Sequence, residues 1–149
     1  MYRIIIEQTK DYPKRMQYDP KSNIFQATEY DSLLYVRGVT FPYGWLKESG
    51  TPPGEHFDAI LISGERYDLG EELPIRIIGV FKRSDNDHKL VAVDEKRQET
   101  DLAELSSDEV SELYKLYPRI DKNAGEGWFG AKTADEVIKY FMQRNINEL

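Results

Sequence analysis

The chain has 149 residues, 27 of them acidic and 20 basic, giving a formal net charge of −7, with no cysteine and two histidines. Disulfide frameworks, thiolate metal sites, cysteine nucleophiles and an all-histidine zinc centre are therefore excluded, and the acidic balance disfavours nucleic acid, which is held through Lys and Arg contacts to phosphate. The length suits one domain with a real core; no apolar run approaches the roughly 20 residues of a membrane span, and residues 1–10 lack the basic start and apolar centre of a signal peptide, so a cytoplasmic protein without a membrane partner is expected.

In chain order, residues 2–6 form an apolar run that predicts a buried strand. Residues 10–15, containing Pro13, read as a polar loop. Residues 16–18 and 24–28 predict two short strands joined by a turn-rich connector, Asp-Pro-Lys-Ser-Asn. Residues 33–39 are expected to form another strand, closed by Gly38, and residues 47–55 a loop punctuated by Gly50, Pro52, Pro53 and Gly54. Strand character resumes over residues 57–63, FDAILIS, where Asp58 falls on the same face as Ile60 and Ile62. Burying an unpaired carboxylate is costly, so Asp58 is expected to be paired, hydrogen-bonded or bound to a metal.

The strongest local signal is residues 74–94, PIRIIGVFKRSDNDHKLVAVD, two β-branched runs around an Asp-Asn-Asp turn, which predicts a hairpin. Asp85 and Asp87, two positions apart, can point to one side, with Lys89 where the chain re-enters a strand. Two carboxylates with an ammonium nearby suit a divalent cation and the phosphate it neutralises, although Asp and Asn also favour turns for backbone reasons alone. After Asp94 the period becomes helical. Ser106 to Glu109 has capping-box spacing, followed by Val110, Leu113, Tyr114 and Tyr117 until Pro118. A second helix opens at Thr133 with Ala134, Val137, Ile138 and Phe141 on one face. The segment GEGWFGAKT superficially resembles a phosphate-binding loop, but Lys132 comes one place late and no buried strand feeds it, so it reads as a turn with a Trp anchor. Strands first and helices last predict an α+β domain, a small closed or partly closed sheet with helices outside.

Several segments, in the same order, resemble the soluble family I inorganic pyrophosphatases. That family carries D-x-D-P-x-D-V, then P-I-R-V-I-G-V-L-K-M-x-D, K-L-V-A-V-P, a helical Y-K and V-E-G-W; this chain reads GEHFDAIL, PIRIIGVFKRSD, NDHKLVAVD, LYKLYP and GEGW. Upstream, FPYGW is similar to a shortened Y-P-x-N-Y-G-Y-I. The resemblance implies a five-stranded OB-like β-barrel with C-terminal helices packed outside, spanning residues 1–149 as a single domain. It implies hydrolysis of inorganic diphosphate, or a related phosphoanhydride, with Mg²⁺ or possible Mn²⁺, and a possible homo-oligomer. Carried over by motif, Asp58, Asp85 and Asp87 are metal ligands; Glu55 is the base and Asp58 a second catalytic carboxylate; Tyr43, Lys89, Tyr114, Lys115 and Arg15 hold phosphate.

Departures from the family pattern sit in the same motifs. Pro53 takes the place of the first Asp, Glu55 that of the second, and His56 replaces the motif Pro. The N-terminal acid, Lys and Glu fall nearest Glu7, Lys14 or Arg15, and Gln17, while Glu29 or Tyr30 stands for the Arg that grips the distal phosphate, with Arg37 as a substitute from another position. Proline cannot ligate through its side chain, and loss of the Arg removes a charge-assisted contact. A catalytically impaired protein that keeps the fold as a phosphate-ligand sensor or interaction module is the alternative reading. Single-strand nucleic-acid binding, the third, would need a basic groove with stacking aromatics.

Overall fold

The computed structural model describes residues 1–118 and 125–147. Its strands are β1 (Tyr2–Gln8), β2 (Lys14–Asp19), β3 (Ile24–Asp31), β4 (Tyr43–Leu46), β5 (Asp58–Leu61), β6 (Glu72–Lys82), β7 (Lys89–Asp94) and β8 (Gly127–Gly130); the helices are α1 (Leu33–Val36), α2 (Ser107–Leu116) and α3 (Ala131–Asn147). Strands β1-β4-β5-β7-β6 follow one another in the main sheet, and β1 also pairs with β6, so five strands close into a barrel with β8 added beyond β6. The β5–β7 pair is parallel and the others are antiparallel. The five-stranded barrel expected from the sequence is present. Strands β2 and β3 form a separate two-stranded sheet.

Strands β4, β5, β7 and the second half of β6 bury both faces, which is why they read as apolar runs, whereas β1 alternates buried and partly exposed positions. One face gathers Ile4, Ile6, Leu46, Ala59, Leu61, Leu90 and Ala92 under α3, through Ala134 and Ile138. The other gathers Ile60, Ile62, Ile78, Val91 and Val93 under α1 and α2, through Leu34, Leu113 and Leu116. A fully buried Leu or Ile contributes about 1.5–3 kcal/mol, so both helices are held chiefly by these stripes. The capping box foreseen at Ser106 and Glu109 is formed, each side chain accepting from the other's backbone N–H.

Two expectations are corrected. Residues 33–39 are not a strand: Ser32 caps a helical turn by accepting from the Tyr35 N–H, and Gly38, at φ +67, takes the left-handed conformation that ends it. The local cap competes with the β-branched content and prevails. The segment read as a turn around Trp128 is instead β8, pairing with β6 from Gly79–Gly130 to Lys82–Gly127, and α3 starts at Ala131, whose N–H donates to Asp101 at 2.8 Å.

Candidate active site

Strand register places the key side chains before any long-range chemistry is considered. Ile5 pairs with Trp45, Trp45 with Asp58, Asp58 with Lys89, Lys89 with Phe81, and Phe81 with Trp128. Register partners project to the same face of a sheet, so Asp58 and Lys89, 31 residues apart in sequence, become neighbours. The next row on that face contains Tyr43, opposite Ile60 on β5. On β1 the register shifts: Ile6 faces Gly44 and Gln8 faces Tyr43, which leaves Glu7 as the extra residue of a β-bulge. Bulges re-aim side chains, and Glu7 lines the same cavity as Tyr43 and Asp58.

That cavity has a volume of about 740 Å³. Its charged side chains are Glu7, Arg15, Asp31, His56, Asp58, Arg83, Asp87 and Lys89. The Lys89 ammonium donates to Asp58 at 2.7 Å and lies 2.9 Å from Asp87, and it is only 6% exposed. The other Asp58 oxygen lies 3.0 Å from His56 Nε2. His56 Nδ1 sits 2.7 Å from the Gly54 carbonyl. A carbonyl and a carboxylate both accept, so the imidazole satisfies both only when it donates from both nitrogens, which favours the cation. Tyr43 lines the cavity beside Asp58, whose charge adds to burial in raising its phenol.

The charge states follow from these contacts. Burial alone would raise the Asp58 carboxyl, but the hydrogen bond from His56 and the charge of Lys89 outweigh it and hold it down at about 2. Asp58 in turn raises His56 through their hydrogen bond. Burial opposes charge on Lys89, yet Asp58 and Asp87 raise it above the ordinary value. Glu7 goes the other way: burial first, then the charge of Asp58, push it up to about 7 against the pull of His56, Arg15 and Lys89. Burial also raises the phenols of Tyr43 and Tyr117, so at neutral pH both are donors.

The residues expected from sequence divide into two groups. Asp58, Asp87, Lys89, Tyr43 and Arg15 share the cavity, and so does Pro53, which brings no ligand. Glu55, Asp85, Tyr114 and Lys115 are not among its lining residues. The Glu55 carboxylate is ion-paired to Arg144 at 2.6 Å, joining its loop to α3. Asp85 and Asp87 lie in a turn, not a strand, so alternation does not hold for them: Asp85 accepts from the Asp87 N–H at 3.0 Å and faces Arg83 at 3.3 Å. On α2, Leu113 and Leu116 take the buried face, which leaves Tyr114 46% exposed. Tyr117, at the helix C-cap, turns into the cavity instead and stacks on Phe81 at 4.5 Å. Arg37 donates to the Leu116 carbonyl and does not line the cavity.

Sequence reasoning gave no role to His56, Arg83 or Tyr117. The i,i+2 spacing of His56 and Asp58 was a usable signal, since both can face one side. Tyr117 carried none, because its direction depends on where α2 unwinds.

The carboxylates of the cavity offer oxygen ligands, which a hard divalent cation prefers. Lys89 marks the point on which Asp58 and Asp87 converge, each within 2.9 Å of its ammonium. Among the described residues no three His, Asp or Glu side chains are grouped to hold a metal. A cation here would therefore take two carboxylates and draw its remaining ligands from substrate oxygens and water, the usual arrangement for Mg²⁺.

A profile of the inorganic pyrophosphatase family matches residues 4–145. The chain is 27% identical to an inorganic pyrophosphatase of Corynebacterium efficiens, over 93% of this chain and 97% of the relative. It is 28% identical to one of Corynebacterium glutamicum, over 89% and 92%. Among solved structures, an inorganic pyrophosphatase from Neisseria gonorrhoeae superposes with a TM-score of 0.72 at 20% identity, covering 95% of this chain and 89% of that one. One from Thermus thermophilus gives 0.67 at 17%, covering 95% and 89%. With a barrel of this topology, an acid and base cavity on one face of it, and a profile that spans nearly the whole chain, this protein belongs to the inorganic pyrophosphatase family.

Proposed function

We propose that this chain, as one pyrophosphatase-like domain over residues 1–149, hydrolyses inorganic diphosphate to two phosphates in the cytoplasm, in the cavity around Asp58. The observation that carries the reading is the Asp58–Lys89–Asp87 chain of contacts at 2.7 and 2.9 Å inside a cavity that also presents Arg15, Arg83 and His56. Diphosphate at neutral pH carries several negative charges, and cationic side chains at a partly dry site stabilise them far more than they would in water. Lys89 is held positive by Asp58 and Asp87 already, so it meets the substrate without a proton having to move, and Asp58 favours the charged form of His56. Tyr43 and Tyr117 supply hydroxyl donors to phosphate oxygens.

Mg²⁺, or Mn²⁺, is the proposed cofactor, and Asp58 and Asp87 would hold it. When bound, such an ion neutralises phosphate charge and makes nearby water more acidic. Lys89 must then turn from the two carboxylates toward substrate, exchanging one anionic partner for another. The low pKa of Asp58 keeps it ionised throughout the working range, as a ligand must be.

Phosphate release from diphosphate, measured with purified protein and Mg²⁺, tests this reading. Wild type should release phosphate, and Lys89→Met should lower kcat/KM by about 10²-fold, the size of loss that follows removal of one strong electrostatic contact. Release by wild type no faster than a protein-free blank would overturn the proposal.

A further inference from the structure

We propose that the carboxylate of Glu7, and not that of Glu55, is the general base that takes the proton of the attacking water. The inference rests on the diphosphatase reading above and adds the group that would perform its proton transfer. A base must reach the reacting water, which requires it to line the cavity, and it must have an oxygen free to accept a proton. Glu55 fails the first condition, since it does not line the cavity, and one of its oxygens is taken by Arg144 at 2.6 Å. Asp58 has one oxygen on His56 and the other on Lys89. Asp87 and Asp31 each have one oxygen on a lysine, Lys89 and Lys14, and both side chains are mostly exposed, at 59% and 64%, where water levels their basicity.

Glu7 is the remaining carboxylate of the cavity wall. Among the described residues its carboxylate accepts no hydrogen bond, although it is partly buried. The β-bulge between Ile6 and Gln8 aims it beside Tyr43, one row from Asp58 and Lys89, where the substrate phosphates are expected. The charged groups that face it are Asp58 on β5, His56 before that strand, Arg15 on β2 and Lys89 on β7. Burial disfavours the charge on its carboxylate, which makes it a stronger proton acceptor than an exposed one.

A water oxygen forms a bond to one phosphorus while the bridging P–O bond breaks, its electron pair departing with the leaving phosphate. The proton lost by the water goes to Glu7 and then to solvent, and the cations Lys89, Arg15 and Arg83 offset the charge on the phosphates.

Steady-state kinetics of the full chain with Mg²⁺ and diphosphate provide the test. Glu7→Gln keeps the shape of the side chain and should lower kcat by about 10²–10⁴-fold with KM little changed, the size expected for loss of a general base. Glu7→Ala should regain part of its rate when formate is added, because a small carboxylate can occupy the space of the missing side chain; a residue that merely braces the bulge would show no such rescue. Circular dichroism of both variants should match wild type. Near wild-type kcat in Glu7→Gln, no formate rescue of a folded Glu7→Ala, or a larger kcat loss in Glu55→Gln than in Glu7→Gln would each overturn the assignment while leaving the diphosphatase reading in place. No phosphate release by wild type would overturn both.

Discussion

Asp58 is the residue on which the site turns. Its burial was legible in the sequence, because an acid on an apolar strand face must find partners. Which partners it finds was not, since Lys89 reaches it only through the parallel β5–β7 register. Removing one partner of a buried ion pair costs about 3–5 kcal/mol. Asp58 is 15% exposed and keeps His56, so Lys89→Met should destabilise by less, about 2 kcal/mol, as read from urea denaturation at pH 7. Glu7 makes the opposite case. Its carboxyl is raised in the fold from an ordinary 4.5 to about 7, so its contribution favours the folded state below about pH 4.5 and is lost as pH rises through about 7. Glu7→Gln removes that loss. The variant should therefore equal wild type in stability near pH 4 and exceed it at pH 8 by about 2 kcal/mol, taking about 1.4 kcal/mol per pKa unit and discounting for water in the cavity. Denaturation curves at the two pH values check this, and equal stabilities at pH 8 would contradict the burial of Glu7.

At the scale of elements, local signals were decisive where a side chain closes its own backbone. The Ser106–Glu109 box and the hairpin around residues 83–88 are cases of this kind. Ser106→Ala should cost about 1 kcal/mol, seen as a fall in thermal midpoint. Residues 33–39 show the same principle in reverse: their apolar content suggests a strand, while the Ser32 cap and Gly38 impose a turn of helix over Leu33–Val36. Gly44 sits opposite Ile6 at the bulge, and a Cβ there would overlap the Ile5 carbonyl oxygen. Backbone cannot yield as a flexible side chain does, so Gly44→Ala should destabilise by about 3 kcal/mol or more and disturb the aim of both Glu7 and Tyr43. Chemical denaturation and phosphate release measure the two effects separately. The helical direction of Tyr114 and Tyr117 lay beyond sequence reasoning. Helical spacing put both residues near one face, but the helix ends between them and only the second turns inward.

At the scale of the molecule, closure of β1 onto β6 joins the ends of the sheet and leaves the barrel strands paired on both sides. The β2–β3 sheet lacks that protection and has mostly exposed side chains on β3. Native-state hydrogen exchange should accordingly find the slowest amides in β5, β6 and β7 and markedly faster ones in β2 and β3. Equal protection across both sheets would show that the two unfold as one unit. Because β2 carries Arg15, opening of this smaller sheet would also move a cation out of the cavity.

By itself the sequence determined most of the strands, the two C-terminal helices and, through the PIRIIGVFKRSD and KLVAV segments, the family whose resemblance implied the barrel, because apolar period, capping spacing and motif are local properties of the chain. Tertiary structure alone decided which acids and cations meet. It withdrew Glu55 to Arg144, turned Asp85 to Arg83, and brought Glu7, His56 and Tyr117 to the cavity. The reason is geometric: a motif fixes which residue stands at each position, whereas the direction of its side chain depends on a bulge, a turn or a helix end, and on the charges contributed by strands distant in sequence.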